Sequence, residues 1–97
     1  MPGHLLRPEG RLSKSKLVAY VERINAALEA KGCTVFVEVE VSGDGYALYT
    51  LNPSQLRYRR GDRTGESSRR GTLDCCLTAK QAENRLTTFY LAESSDA

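Results

Sequence analysis

The sequence predicts an α+β domain, a two-layer sandwich in which two helices pack on one face of an antiparallel sheet. Amphipathic segments near both ends of the 97-residue chain, with an alternating β-branched run between them, support this class. The predicted order is α-β-β-β-β-α, a four-stranded meander, with three strands as the alternative. We expect residues 1–12 to form a flexible N-terminal arm, residues 13–92 the single domain and residues 93–97 a frayed C-terminus.

The first helix is predicted to run from Ser13 or Ser15, either of which can cap it, to about Lys31. Gly32 then occupies the position where a left-handed residue commonly ends a helix. The apolar residues of this segment recur at helical spacing, which predicts one buried face formed by Leu17, Val21, Ile24 and Leu28.

The first two strands are predicted at residues 33–41 and 46–51, joined by the hairpin turn Ser-Gly-Asp-Gly at residues 42–45. A two-residue loop in this turn determines which residues share a face. The valines of the first strand, with the alternate residues that begin at Tyr46, are predicted to face the core. The opposite, outward face is predicted to carry Phe36, Glu38, Glu40, Ala47, Tyr49 and Leu51.

A third strand is predicted at residues 55–60, after a turn at residues 52–54, Asn-Pro-Ser. Alternation would turn its apolar residues inward and its cationic residues outward: Leu56 and Tyr58 inward, Arg57 and Arg59 outward. A flexible loop is expected over residues 61–68.

The fourth strand is predicted at residues 70–77, where neighbouring cysteines should point to opposite faces because strand side chains alternate. This places Leu73, Cys75 and Leu77 inward and Asp74 and Cys76 outward. The closing helix is predicted to start at a capping box formed by Thr78 and Gln81 and to end at about Ala92.

Residues 57–70, named here the Arg-rich segment, carry six arginines and two acidic residues, so their net charge is +4 in a chain whose formal charge is +2. The planar guanidinium suits carboxylate and phosphate groups, and interfaces favour Tyr and Arg anchors. The predicted partner-binding residues are therefore Arg57, Arg59, Arg60, Arg63, Arg69, Arg70 and Tyr49. The alternatives are a plain solvated surface and a nucleic-acid-binding surface on which arginines follow phosphates.

The sequence shows no catalytic constellation. His4, the only histidine, lies in the predicted arm, so the folded core lacks the usual base for a Ser or Cys nucleophile. The carboxylates of Glu38 and Glu40 point outward, with no apolar enclosure to separate their pKa values. We therefore expect a non-enzymatic protein with no cofactor, no metal ion and no small-molecule substrate.

The three cysteines, Cys33, Cys75 and Cys76, are an odd number and predict free thiols in a reducing compartment. No apolar stretch approaches the length of a membrane span, and the N-terminus lacks the apolar region of a signal peptide. These features predict a cytoplasmic location and no membrane association.

The predicted order of helix, meander and helix over residues 13–92 resembles the double-stranded-RNA-binding domain, which has three strands between two helices. Lys80 and Ala82 are similar to the lysines and alanines that this family places at the start of its last helix. The family's Gly-Pro…His loop between the first strands is replaced by Ser-Gly-Asp-Gly at residues 42–45, and its lysine cluster is missing. The resemblance, which is one of topology, implies nucleic-acid binding.

The sequence thus predicts a small binding or accessory protein, or a protein inhibitor, that recognises another macromolecule through the Arg-rich segment and the outward sheet face. A protein partner or self-association is the first expectation, and nucleic-acid binding is the alternative.

Overall fold

A computed structural model describes residues 7–95. His4 and the rest of residues 1–6, with residues 96–97, lie outside the described part of the chain. The elements, in order, are α1 Lys14–Ala30, β1 Phe36–Ser42, β2 Gly45–Leu51, α2 Pro53–Arg59, β3 Gly71–Leu77 and α3 Ala79–Ser94. The strands form one antiparallel sheet in the order β1-β2-β3. The α+β class and the three-stranded alternative are confirmed, whereas the four-stranded meander is not.

Helix α1 begins where the sequence predicts, because the Ser13 hydroxyl accepts a hydrogen bond from the Lys16 backbone N–H at 3.3 Å. Gly32 follows the helix end with a φ of +79°. The predicted apolar stripe is buried, and Tyr20 beside it donates or accepts a 2.6 Å hydrogen bond with Thr87 of α3. Helices α1 and α3 therefore pack against each other as well as against the sheet.

The hairpin register is confirmed. Gly43 and Asp44 form the two-residue loop, and Gly43 has a φ of +61°, as such a turn requires. Glu38 lies opposite Tyr49, and Val39 lies opposite Leu48. The residues of the two strands that share each sheet face are therefore the ones predicted.

The predicted third strand is wrong: residues Pro53–Arg59 form helix α2 instead. Asn52 caps this helix by accepting from the Gln55 N–H, and the Gln55 side chain accepts from the Asn52 N–H, both at 2.8 Å. Leu56 is buried as predicted, but Tyr58, predicted to face inward, is 43% exposed. The reason is physical: a capping box with proline at the first helical position starts a helix here.

The prediction that the second sheet face points outward, either into water or toward a partner, is wrong for its apolar residues. Phe36, Ala47 and Leu51 are almost completely buried on the face that they share with Glu38. Leu56 of α2 belongs to the same core cluster, so α2 covers part of this face. Conversely Val41, predicted to face the core, is 45% exposed, because it lies near the hairpin end of β1.

Strand β3 occupies the predicted fourth-strand position, but its pairing with β2 is irregular. Leu73 and Leu77 pack against the core as predicted, while Cys75, predicted to face inward, is exposed together with Cys76. Cys76 has a positive φ of +59°, which breaks the alternation on which the prediction depended.

Helix α3 begins at the predicted capping box, with Thr78 and Gln81 exchanging hydrogen bonds of 3.1 and 2.9 Å. One turn further on, the buried carboxylate of Glu83 accepts from Arg7 at 3.1 Å and from Lys80 at 2.8 Å. Burial acts to raise the pKa of Glu83, but these two cations outweigh it and the pKa is lowered. Arg7, within the predicted flexible arm, thus contacts α3.

Candidate functional site

The Arg-rich segment lies against the sheet, and Arg59 is its first attachment. The Arg59 guanidinium donates to Glu38 of β1 from Nε to Oε2 at 2.8 Å and from Nη2 to Oε1 at 3.3 Å. Its Nη1 also donates to the backbone carbonyls of Glu66 and Ser68, at 3.2 and 3.0 Å. Because a single side chain bonds the sheet and two loop carbonyls, it fixes the loop over β1.

Arg69 is the second attachment. It donates to Glu38 Oε1 at 3.0 Å and to Glu40, and its guanidinium lies 3.8 Å above the centre of the Tyr49 ring. Burial acts to lower the pKa of Arg69, yet its hydrogen bonds with the two carboxylates raise the pKa above its usual range. Tyr49 and Arg69, both predicted to bind a partner, therefore bind each other.

Glu38 is the centre of this network, because both arginines converge on it. Burial acts to raise the pKa of Glu38, but the hydrogen bonds and the positive charges of Arg59 and Arg69 prevail and the pKa is lowered. The side chain is 22% exposed, so the ion pairs are partly shielded from water. Glu38 thus remains a structural counterion, with both carboxylate oxygens already bonded.

The other predicted arginines are more exposed. Arg60 forms an ion pair with Glu29 of α1 at 2.7 Å, and Arg57 lies 3.9 Å from Asp62. Within residues 7–95, no ion pair is found for Arg63 or Arg70. The positive charges of the six arginines are offset by the two acidic residues of their own segment and by three acidic residues from elsewhere, Glu29, Glu38 and Glu40. The local net charge is therefore +1.

The structure therefore divides the seven predicted binding residues into three groups. Arg59, Arg69 and Tyr49 hold the segment to the sheet, and Arg60 pairs with Glu29 of α1. The other three arginines are exposed: Arg57, Arg63 and Arg70. The predicted outward face of the sheet is covered by the chain's own arginines.

A cleft of about 330 Å³ lies between α1, the edge of β1 and the end of α2. Its apolar wall comes from α1 and β1, and its polar rim carries one carboxylate from α1, the last arginine of α2 and the arginine that caps the end of α2. The residues that define it are Val18, Val21, Glu22, Val39, Arg59 and Arg60. The cleft thus has charges of both signs around a mainly apolar lining.

Asn25 closes the strand edge at one end of this cleft. Its Nδ2 donates to the Val37 carbonyl at 2.8 Å, and its Oδ1 accepts from the Val37 N–H at 2.9 Å. The amide therefore gives the backbone of β1 the same two hydrogen bonds that a neighbouring strand would give. The role of Asn25 is not among the predictions from the sequence, although a polar residue one turn after Val21 on a buried helix face was a usable signal.

The rest of the β1 edge has no such cover. Ser42 and Gly45 close the two-residue turn, so hydrogen-bonded pairs with β2 recur at Glu40 and Glu38. Val39 and Val41 fall between them and, like Val37, direct their N–H and C=O groups away from β2. Along the described chain no strand lies on that side of β1.

Two further features of residues 7–95 bear on metal binding and on membrane insertion. No group of three or more His, Cys, Asp and Glu side chains is arranged to hold a metal ion. No helix in that range combines the length and the apolar character needed to cross a bilayer.

Comparison of the chain with protein-family models, with curated proteins and with solved structures found no match in any of the three. No family model supports the topological resemblance to the double-stranded-RNA-binding domain. Helix α2, between the second and third strands, is a further departure from that domain.

Proposed function

We propose that this domain is a non-enzymatic protein-binding module that receives an extended segment of a protein partner along the free edge of β1. The observation that carries the proposal is the strand edge at Val39 and Val41, which faces outward beside an apolar cleft. Main-chain hydrogen bonds from an added strand supply affinity, and a pocket for alternate side chains supplies specificity.

The shape of the cleft defines what the partner segment carries. An added strand presents every second side chain to the same side, so one apolar residue enters the space beside Val18 and Val21. Glu22 lies on α1, which runs back along β1, while Arg60 lies at the end of the cleft near Glu29. A segment with a basic residue near Glu22 and an acidic residue near Arg60 complements both ends.

The Arg-rich segment contributes to this function by holding the wall of the cleft in place. Arg59 lines the cleft while bonded to Glu38 and to two loop carbonyls, so binding does not have to order it. The exposed Arg57, Arg63 and Arg70 extend the contact outward for a larger partner. The proposal keeps the class of function predicted from the sequence, but the main contact with the partner is now at the sheet edge and not on the sheet face.

The test is a selection of extended peptides from a phage-displayed random library, followed by titration of the best synthetic peptide into the isotope-labelled domain. We expect chemical-shift changes at Val39 and Val41 and in the cleft, and loss of affinity when alternate peptide amides are N-methylated. N-methylation of the other set should leave binding intact, because those amides face away from β1.

A matched pair of domain variants supports the same test. Val18→Asp places a charge in the cleft and should lower the affinity for the peptide by about tenfold or more. Ala26→Asp puts the same charge on α1 outside the cleft and should leave the affinity unchanged. The proposal would be contradicted if the peptide caused no chemical-shift changes in β1, or if both variants lost the same amount of affinity. It would also be contradicted if the domain formed dimers through β1 without peptide.

Nucleic-acid binding is the second candidate, and the observation that favours it is the pair of exposed arginines without ion pairs among the described residues, Arg63 and Arg70. The local charge of +1 argues for few phosphate contacts, since the other arginines would first have to leave their carboxylates. A gel-shift titration with DNA and RNA checks this candidate: affinity that falls steeply with salt and depends on both arginines would support it.

A further inference from the structure

Cys75 and Cys76 lie at a bulge in β3. Tyr46 pairs with Leu77 and Leu48 pairs with Asp74, so the two cysteines together oppose the single residue between Tyr46 and Leu48. Two residues facing one is the pattern of a β-bulge, and such bulges redirect side chains. The bulge is thus located at the two thiols themselves.

The irregular backbone at the bulge leaves both cysteines exposed. Cys76 has a φ of +59°, a left-handed conformation that is uncommon for a residue with a β-carbon. Both cysteines are exposed, although neighbours on a regular strand would point to opposite faces. The neighbouring Cys76 thiol raises the pKa of the Cys75 thiol above its usual value.

The neighbouring strand holds the bulge in this form. A β-carbon on Gly45 would lie 2.7 Å from the Leu77 carbonyl oxygen and 3.5 Å from the Cys76 carbonyl carbon. Strand β2 therefore approaches the bulge closely, and only glycine permits that approach. The thiol pair is a fixed feature of the sheet.

The geometry selects a class of ligand. Neighbouring Cα atoms are about 3.8 Å apart, shorter than the roughly 4.4–6.8 Å that disulfides span, so the pair resists closing on itself. Within residues 7–95, no third ligand completes a metal site. A single trivalent thiophilic atom that bonds both sulfurs, however, spans neighbouring thiols without requiring a sulfur–sulfur bond.

We propose that Cys75 and Cys76 form a vicinal dithiol site that binds trivalent organoarsenicals and chemically similar thiophilic centres. With an arsine oxide R–As=O, two arsenic–sulfur bonds form and the As=O bond breaks. The two thiol protons leave with the oxygen as one water molecule. Arsenic stays trivalent and both sulfurs keep their oxidation state, so no oxidant is needed.

The test uses phenylarsine oxide with the full chain, followed by intact-protein mass spectrometry and competition with a dithiol. We expect one adduct per chain, formed with loss of water, that 2,3-dimercaptopropanol removes and a monothiol does not. Cys75→Ser and Cys76→Ser should each weaken the adduct by about a hundredfold or more, because the second bond is intramolecular in the native pair.

Cys33→Ser is the matched control, since Cys33 is half-buried and its thiol donates to the Glu93 carbonyl at 3.7 Å. It should bind phenylarsine oxide as the native chain does. Gly45→Ala keeps both thiols but disturbs the bulge, and a variant that retains its circular dichroism should bind more weakly. An adduct that survives either serine variant at β3 with unchanged affinity, or that is lost with Cys33→Ser, would overturn the proposal.

Discussion

Asn25→Leu is the change that tests the structure most directly. Asn25 is 4% exposed, and both of its hydrogen bonds go to the backbone of Val37, which is fully buried. Leucine has the same branched shape and number of side-chain heavy atoms and a higher helix propensity, so the main loss is of partners for one N–H and one C=O. Leaving each group unpaired costs about 1–3 kcal/mol, hence roughly 2–6 kcal/mol for both. The neighbouring cleft lets water reach this edge, so we expect about 2–4 kcal/mol.

The assay is urea unfolding followed by far-ultraviolet circular dichroism. The loss of unfolding free energy is calculated from the shift of the urea midpoint, provided that the dependence of the free energy on urea concentration is unchanged. The matched control is Asn84→Leu, an exposed amide of α3 whose Oδ1 accepts from Arg7 at 2.7 Å. Its free energy of unfolding should change by less than about 1 kcal/mol. If the two variants lose the same amount, or if Asn25→Leu loses less than about 1 kcal/mol, Asn25 does not cap the edge of β1.

Three other predictions concern the same surface. The pKa of Glu38 is lowered, so its contribution to stability is present above the ordinary value of 4.5 and is lost as pH falls through the folded value. Glu38→Gln should therefore reduce the acid dependence of the urea midpoint, and an unchanged acid dependence would contradict this role. Asn52→Ala removes the cap of α2 and should cost about 1 kcal/mol in the same assay, against almost no change for the exposed Ser67→Ala; equal midpoints would refute the capping role. Backbone amides of Val39 and Val41 should exchange with solvent faster in nuclear magnetic resonance than those of Glu38 and Glu40, which bond β2; equal protection would mean that the edge is covered.

The sequence predicted the elements whose signal is long or strictly local. Helix α1 spans 17 residues, enough for its apolar stripe to repeat over several turns. The two-residue turn at Gly43 and Asp44 determined the register of the hairpin from four residues, and the capping box at Thr78 set the start of α3.

Helix α2 was missed because residues 55–60 are too few to distinguish a period of 2 from a period of 3.6. Leu56 and Tyr58 alternate with arginines as a half-buried strand would, yet Asn52 and Gln55 form the same kind of capping box as Thr78 and Gln81. The local hydrogen bonds outweighed the alternation. The same signal, applied consistently, predicts the helix.

The covering of the sheet face could not be read from alternation, which states which residues share a face and not what lies on it. Glu38 and Glu40 look like the charged residues of a wet face, and their counterions come from distant parts of the chain. Arg59 is 21 residues from Glu38 in sequence, and Arg69 is 29 residues from Glu40. Tertiary structure thus pairs the charged residues of the predicted binding surface with one another, while Glu40 and Arg69 stay partly exposed.

This pairing changes what the charge of the Arg-rich segment means. A net charge of +4 along the sequence becomes a local charge of +1 when the facing carboxylates are included, so segment charge alone overstates the attraction for a polyanion. The guanidinium groups of Arg59 and Arg69 act mainly as counterions and spacers. The surface that we propose for a partner is therefore the part that these arginines do not cover.

The edge of β1 is that part. Proteins commonly protect an edge strand with charged residues, prolines or a covering element, because open peptide groups invite pairing with other chains. Here the charges of β1 point to the sheet face and are bound by arginines, and Asn25 covers the edge at Val37 alone. Val39 and the exposed Val41 remain open beside an apolar cleft. An edge protected at one residue and left open at the next two is what a site for strand addition requires, since the cap marks where the added strand must stop.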